Sequence, residues 1–498
     1  MKIVLIYPVH LFETSDIISD NPTIKKIIIE DPIYFTKYNT HKLKLILHRA
    51  SMKKYADLHN LEYIEYNKAE QFYKNNKADI ICYDPVDHDI MNTLKKYSKK
   101  NKFEIELFET PEFISSYEDL EQFHNDHKNK RFIHDSQFYK WQRERLKILP
   151  NTKLSLDNEN RKPFPKNQKD VFLPLTSNNK YVIEATKYVE KHFPDNFGSS
   201  ENFFYPIDHS TAKEWLHNFV YHRFKQFGDF EDAIGKDIKF GFHSVLSPIL
   251  NIGLLTDKDI LDKILPLQHK IPLNSFEGFI RQIIGWKSTM RYFYEFYYDK
   301  QFGKNNLNHH KKLTSHFWDG TTQIPIIDDT IKKLHTTGYL HHIERLMVMG
   351  NFMLLCEIDP NEVFKWFMLT IDAYQWVMVP NIFGMSQYAD GGLLMTRPYF
   401  SSSNYIRKMS DYKDNISNKE VKVVLNRKEK LIKLTLFDKY TWSDIWDALY
   451  YRFIYKNRDM LKKIYATARN VSHWDKKSKR EQDSLLELAE DYLNFLHK

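Results

Sequence analysis

Cysteine is nearly absent: the 498-residue chain has two, Cys82 and Cys356, far apart in apolar surroundings. Two isolated thiols argue against a disulfide framework and against a cysteine-ligated cluster, and they fit a reducing compartment. The glycine signatures of nucleotide-binding loops are missing as well. The first strand-like segment runs into Pro8-Val9-His10, with no G-x-G-x-x-G or Walker motif behind it, so a conventional dinucleotide or P-loop site is excluded. No stretch reaches membrane-spanning length without charges. The start, Met1-Lys-Ile-Val-Leu-Ile-Tyr-Pro, has too short an apolar run for a secretion signal and reads as a buried strand. No short-period repeat is visible. These absences leave a soluble, intracellular protein with no membrane partner.

What is present is the balance of an ordinary globular protein: 42% hydrophobic and 28% charged residues, enough chain for two or three domains. Aromatic residues reach 15%, which implies extensive interior ring packing. The net charge is 73 − 65 = +8. A polyanion partner suits that excess, and so does a codon bias toward Lys and Asn.

Residues 1–135 alternate strand-like and helix-like segments. Strands are expected over 3–7, 26–30, 62–66, 79–83 and 104–108, with helices such as 42–61 and 87–98 between them. Short apolar strands separated by helices predict a parallel sheet covered on both faces. Residues 136–190 are polar and irregular, with Pro150, Pro163 and Pro165, and read as an interdomain linker. Residues 191–498 read as helical, with helices over 210–227, 275–298, 328–355, 361–377, 442–456 and 460–496. The Lys-, Asn- and Asp-rich stretch 410–433 reads as a surface loop or irregular insertion.

The richest stretch is 335–399. An apolar, helix-period segment carries His341, His342 and Arg345, and His342 and Arg345 share one helical face. Trp366, Asp372 and the Pro380-Asn381 break follow. Polar groups on long apolar helices suit a buried cofactor or substrate pocket, and they equally suit a helical core with satisfied histidines. Upstream, Gly241-Phe-His-Ser-Val-Leu-Ser-Pro gathers hydroxyls and amides at a helix start, which suits a phosphate or an ordinary capped helix. Glu277 and Arg281 stand at i, i+4 as a helical ion pair. Adjacent histidines at 309–310 and 341–342 point to different faces and lack a ligand spacing, so no metal site is expected. The lysine run 95–102 reads as a solvated helix end.

Taken in order, several segments resemble the cryptochrome/photolyase family, most closely its iron–sulfur bacterial branch of (6-4) photolyases. They are Phe193-Pro-Asp-Asn-Phe-Gly, Leu246-Ser-Pro-x-Leu-x-x-Gly-Leu-Leu, and Pro272-Leu-Asn-x-x-Glu-Gly-Phe-Ile-Arg-Gln-Ile-Ile-Gly-Trp. With them stand His341-His-Ile-x-Arg-Leu-Met-Val, Gly350-Asn-Phe, Gly384-Met-Ser-Gln-Tyr-Ala-Asp-Gly-Gly and Met409-Ser-Asp-Tyr. The resemblance implies an α/β Rossmann-like antenna domain joined by a long linker to an all-helical FAD-binding domain, and a monomer acting on UV-damaged DNA. It places the FAD phosphates at His243, Ser244, Leu246 and Ser247. Glu277, Arg281, Trp286 and Lys287 fall on the flavin and DNA side of the pocket, Arg345 pairs with Asp372, and Asn381 faces the flavin. It makes His342 the catalytic histidine beside His341, turns Tyr399, Tyr405 and Gln282 to the lesion, and gives Trp366 and Trp318 an electron path to the surface.

The same resemblance implies three departures. The four cluster cysteines of the branch match Ile326, Lys413, Ile416 and Asp444, so no iron–sulfur cluster is expected. Phe367 stands where an aromatic relay partner is a tyrosine. The altered stretch after the first strand leaves a second, lumazine-type antenna chromophore open. The function implied is light-driven repair of (6-4) photoproducts by electron transfer from FAD; the alternatives are a blue-light receptor of the cryptochrome type without repair, or a photolyase for cyclobutane dimers.

Overall fold

The computed structural model describes residues 1–18, 24–171, 179–413, 420–425, 428–433 and 440–498. Its N-terminal part is built on β1 (Lys2–Ile6), β2 (Lys25–Ile29), β3 (Glu62–Ile64), β4 (Asp79–Tyr83) and β5 (Ile105–Phe108), all parallel in the order β3-β2-β1-β4-β5. The central strand β1 is buried from Ile3 to Ile6. An unbroken apolar run, rather than an alternating one, is what a strand covered on both faces requires. The helices Lys42–His59, Tyr66–Asn75 and His88–Asn101 make the crossovers between successive strands. All five strands fall within two residues of the expected bounds.

The remainder is mostly helical, and it breaks in places that periodicity does not reveal. The helix expected over 328–355 ends at Thr337, where Gly338 takes the left-handed cap conformation at φ 67°. It resumes at Glu344 as a widened, π-helical segment, Glu344–Gly350, followed by Asn351–Leu355. The helix expected over 361–377 divides into Pro360–Phe367 and Gln375–Val379, leaving Asp372 on the connecting turn. Widened segments also occupy Arg281–Lys287 and Pro380–Ser386. The irregular stretch expected over 136–190 contains the helices Lys140–Leu146 and Lys180–His192, and the latter packs on Lys42–His59. The insertion expected over 410–433 contains an antiparallel hairpin, β6 (Glu420–Leu425) with β7 (Lys428–Lys433).

Two features fix the helical part around its centre. Gly350 lets the Glu344–Gly350 and Pro380–Ser386 segments touch: a Cβ there would stand 2.3 Å from Ser386 Oγ and 2.7 Å from the Arg345 carbonyl. Gly350→Ala is expected to cost about 1–3 kcal/mol through the displacement it forces, read as a lowered midpoint in chemical denaturation. The second feature is the Lys42–His59 helix, whose start enters the helical part. His41 Nε2 meets the His335 carbonyl at 3.1 Å, His48 Nε2 meets Tyr374 Oη at 2.7 Å, and Lys44 Nζ donates to the Ala373 carbonyl. Lys44 is 2% exposed and lies 4.3 Å from the Tyr374 ring centre. No helix among the described residues is long and apolar enough to cross a membrane.

Candidate flavin and substrate cavity

These three widened segments face one cavity of about 1380 Å³ of empty space, counting its open mouth, while a fourth, His134–Tyr139, lies outside its lining. Inserting an extra residue per turn re-aims side chains that a regular helix would keep in its stripe, which is why such segments gather at sites. Arg281–Lys287 contributes Gln282, Trp286 and Lys287; Glu344–Gly350 contributes Arg345; Pro380–Ser386 contributes Asn381. His342 enters just before the second of these, and His243, Ser244, Leu246 and Ser247 also line the cavity.

At its base Arg345 Nη2 donates to Asp372 Oδ2 at 2.5 Å, and Ser247 Oγ donates to the same oxygen at 2.5 Å. Arg345 Nε is held by the Leu340 carbonyl at 2.7 Å, and Asn251 Nδ2 holds the Asp372 carbonyl at 2.9 Å. Asp372 Oδ1 and His243 Nε2 are buried with no hydrogen-bond partner among the described residues. Unpaired polar atoms on a cavity wall are costly unless a bound molecule meets them. Hydroxyls, a guanidinium and orphaned acceptor and donor atoms fit a phosphate-bearing aromatic cofactor, and the apolar remainder, including Leu246, Ile283 and Met385, fits its ring.

Of the other side chains named from the sequence, His341, Glu277 and Arg281 stand behind the wall. His341 is buried and stacks on His243 with ring centres 4.3 Å apart. Glu277 is an anchor: it accepts from Arg281 Nε at 3.2 Å, Tyr139 Oη at 3.0 Å and the Leu156 amide at 3.0 Å. Arg281 also reaches Asp157 at 3.3 Å. Trp286 is backed by a parallel His134 ring at 3.6 Å. Lys287 turns its charge away to Asp257 at 2.9 Å and the Glu112 carbonyl at 3.0 Å. Trp366 is fully buried, donates to the Phe317 carbonyl at 3.1 Å, and lies edge-on to Phe367, which itself lines the cavity. Trp318 is half-buried, against Phe197. Tyr405 donates to Asp232 Oδ2 at 3.2 Å, and Tyr399 lies under Arg397 at 5.2 Å; neither lines the cavity.

Glu231, Asn160 and Trp376 are not among the residues that sequence reasoning marks as functional. Glu231 and Trp376 line the cavity, and Glu231 accepts from Gln282 Nε2 at 2.7 Å and from Asn160 Nδ2 at 2.9 Å. The only signal for Glu231 is an acidic 229–232 run directly after an apolar helix, which also describes any surface turn. Burial pushes the Glu231 carboxyl up to about 7, with Arg281 opposing the rise.

The His342 imidazole is exposed where it lines the cavity, with protein crowded around it and Arg345 beside it. Burial, reinforced by the Arg345 charge, lowers its pKa to about 4. At pH 7 the ring is therefore neutral, and it gains a proton only when the pH falls toward 4 or an anion enters beside it. Proton NMR of the flavin-free protein is expected to show the His342 ring titrating near pH 4, moving upward when an anion fills the cavity. Titration at the ordinary histidine value in the empty cavity would contradict this.

Two family models match the chain: deoxyribodipyrimidine photo-lyase-related protein over residues 4–205, and FAD binding domain of DNA photolyase over residues 279–417. A relative named (6-4) photolyase, from Agrobacterium fabrum, is 34% identical over 397 residues, covering 77% of this chain and 74% of the relative. The chain belongs to the photolyase/cryptochrome family. An uncharacterized mimivirus protein, R855, is 41% identical over 154 residues, which is 30% of this chain and all of that protein. In fold, the family member Synechocystis cryptochrome superposes with TM-score 0.55 at 17% identity, covering 82% of this chain and 88% of that one. A class III photolyase from Agrobacterium tumefaciens gives TM-score 0.50 at 16% identity, covering 82% and 86%. The parallel sheet lies within the first match, and the cavity is lined partly from the second, between Phe279 and Ser386, and partly by residues 227–251, which fall between the two matches.

Proposed function

We propose that the protein is a light-driven DNA photolyase that binds FAD and repairs UV pyrimidine photoproducts, (6-4) photoproducts foremost. The observation that carries the reading is the His342 imidazole, open to the same cavity as the Arg345–Asp372 pair. A flavin supplies light-driven electron donation when bound. The chain's own groups do the rest. Ser244, Ser247 and the amides around Leu246 take the phosphates, where hydroxyls and N–H groups converge. Arg345, held by Asp372, sets a fixed cation where negative charge must be accommodated, and Asn381 faces the ring. His342 holds the proton at the lesion, which suits a group open to the cavity and sensitive to an incoming anion. Trp366 and Trp318 carry electrons from the surface, with Phe367 between Trp366 and the cavity.

The lesion reaches His342 only when extruded from the duplex. Tyr399, Tyr405 and Gln282 would meet it. In this reading residues 1–135 form the antenna domain, 136–190 the linker and 191–498 the catalytic domain. We further infer that no iron–sulfur cluster is bound. Ile326 is buried in apolar packing, the Lys413 carbonyl accepts the Trp442 indole N–H at 3.0 Å, and Asp444 caps its own helix through Thr441 at 2.8 Å. Those side chains do not fit a cluster; Ile416 lies outside the described residues.

The test illuminates purified, flavin-loaded protein with oligonucleotides carrying (6-4) photoproducts or cyclobutane dimers and quantifies restored pyrimidines. Restoration of the (6-4) lesion, by a preparation without iron, is the expected result. A preparation that binds flavin yet restores neither lesion would replace this reading with that of a photoreceptor.

A further inference from the structure

Glu231 has no role in the site as the family resemblance draws it, yet its surroundings are built with care. It stands on the turn after Phe224–Phe227 and lines the cavity beside Gln282. Each carboxyl oxygen takes one amide donor: Oε1 from Gln282 Nε2 at 2.7 Å, Oε2 from Asn160 Nδ2 at 2.9 Å. Room for this comes from Gly278, where a Cβ would fall 2.7 Å from Asn160 Nδ2 and 3.4 Å from Glu231 Oε2.

The chemistry of the pair decides which way Gln282 faces. A glutamine amide has a donor edge and an acceptor edge of nearly equal shape, and it turns to suit its partners. An ionised carboxylate only accepts, so the NH2 edge must turn toward it. Gln282 Nε2 is thereby committed to Glu231. Among the described residues nothing donates to its Oε1, and because Gln282 lines the cavity that edge is left for whatever enters. A neutral amide in place of Glu231 could donate or accept, and the constraint would vanish. Arg281, Asp232 and Asp157 are the charged groups facing Glu231; the arginine favours its ionised form, but burial outweighs it and places the carboxyl at about 7, so the lock is complete only above that pH.

We propose that Glu231 is a positioning residue that locks the Gln282 amide with its carbonyl oxygen toward the cavity, so that the site selects an extruded pyrimidine bearing a ring N–H. This rests on the photolyase reading, because the extruded base is its substrate. Selection arises because a base without that N–H would bury the oxygen unpaired, and sites built around one hydrogen bond reject such analogues strongly.

Binding is measured at about pH 8.5, where Glu231 is ionised, for flavin-loaded protein with three duplexes: undamaged, carrying a (6-4) photoproduct, and carrying its counterpart methylated at N3 of the 5′ base. Wild-type protein is expected to prefer the N3–H lesion over the methylated one roughly tenfold. Glu231→Gln, nearly identical in shape, is expected to lose most of that ratio while keeping its flavin absorbance. Gln282→Met should lose it too, and adding Glu231→Gln to Gln282→Met should change nothing further. A preserved ratio in Glu231→Gln overturns the proposal. So does a Glu231→Gln effect that persists without Gln282, since that would mark general scaffolding. Failure of wild-type protein to separate damaged from undamaged duplex overturns the photolyase reading and takes the Glu231 assignment with it.

Discussion

His342→Ala is expected to yield a folded, flavin-binding protein whose repair of (6-4) lesions under blue light is slower by about a hundredfold or more. The magnitude is that of losing a positioned proton-transfer group, typically 10²–10⁴-fold. The fold should tolerate the change because the ring is exposed to the cavity and makes no hydrogen bond among the described residues. His341, one residue earlier, is buried against His243 and serves packing, so its replacement should lower stability before it lowers chemistry. Single-turnover repair, with flavin absorbance as the control for folding, separates the two. Undiminished repair by His342→Ala would remove the histidine from the mechanism.

Asp372→Ala should act on assembly rather than on turnover. Arg345 and Ser247 both end on Asp372 Oδ2, and the carboxylate is 3% exposed. Deleting it leaves a guanidinium at the cavity base without its counter-charge, a loss on the order of 3 kcal/mol for a pair this enclosed. The variant is expected to purify with little or no flavin and to denature at lower urea. Asp372→Asn keeps an acceptor for Ser247 and Arg345 but not the charge, and should fall between the two. A fully yellow Asp372→Ala protein of wild-type stability would show that the pair matters to neither.

How much of this was legible beforehand follows from the range of the forces involved. The sheet was legible because each strand is a short apolar run, as at Ile3–Ile6 and Ile80–Tyr83, and such runs have few other uses in a covered sheet. The helices were legible as apolar stretches but not in their interruptions. Gly338 breaks one by taking φ 67°, whereas the widening at Glu344–Gly350 leaves no mark in side-chain spacing. At the cavity, Arg345 and Asp372 were paired through resemblance; nothing in their spacing alone joins a helix to a turn 27 residues on. Glu231 stayed hidden because its two partners, Asn160 and Gln282, are 71 and 51 residues distant. Hydrogen bonds that span a fold have no local signature.

The lysine that enters from beneath the sheet ties the two halves of the molecule into a single electrostatic unit. Lys44 gives its ammonium to the carbonyl next door to Asp372, and burial brings its pKa down to about 7, near physiological acidity. The acid at the cavity base therefore depends on a cation that the helical half does not own. A gene fragment encoding that half alone would lack the side chain that holds the turn carrying Asp372.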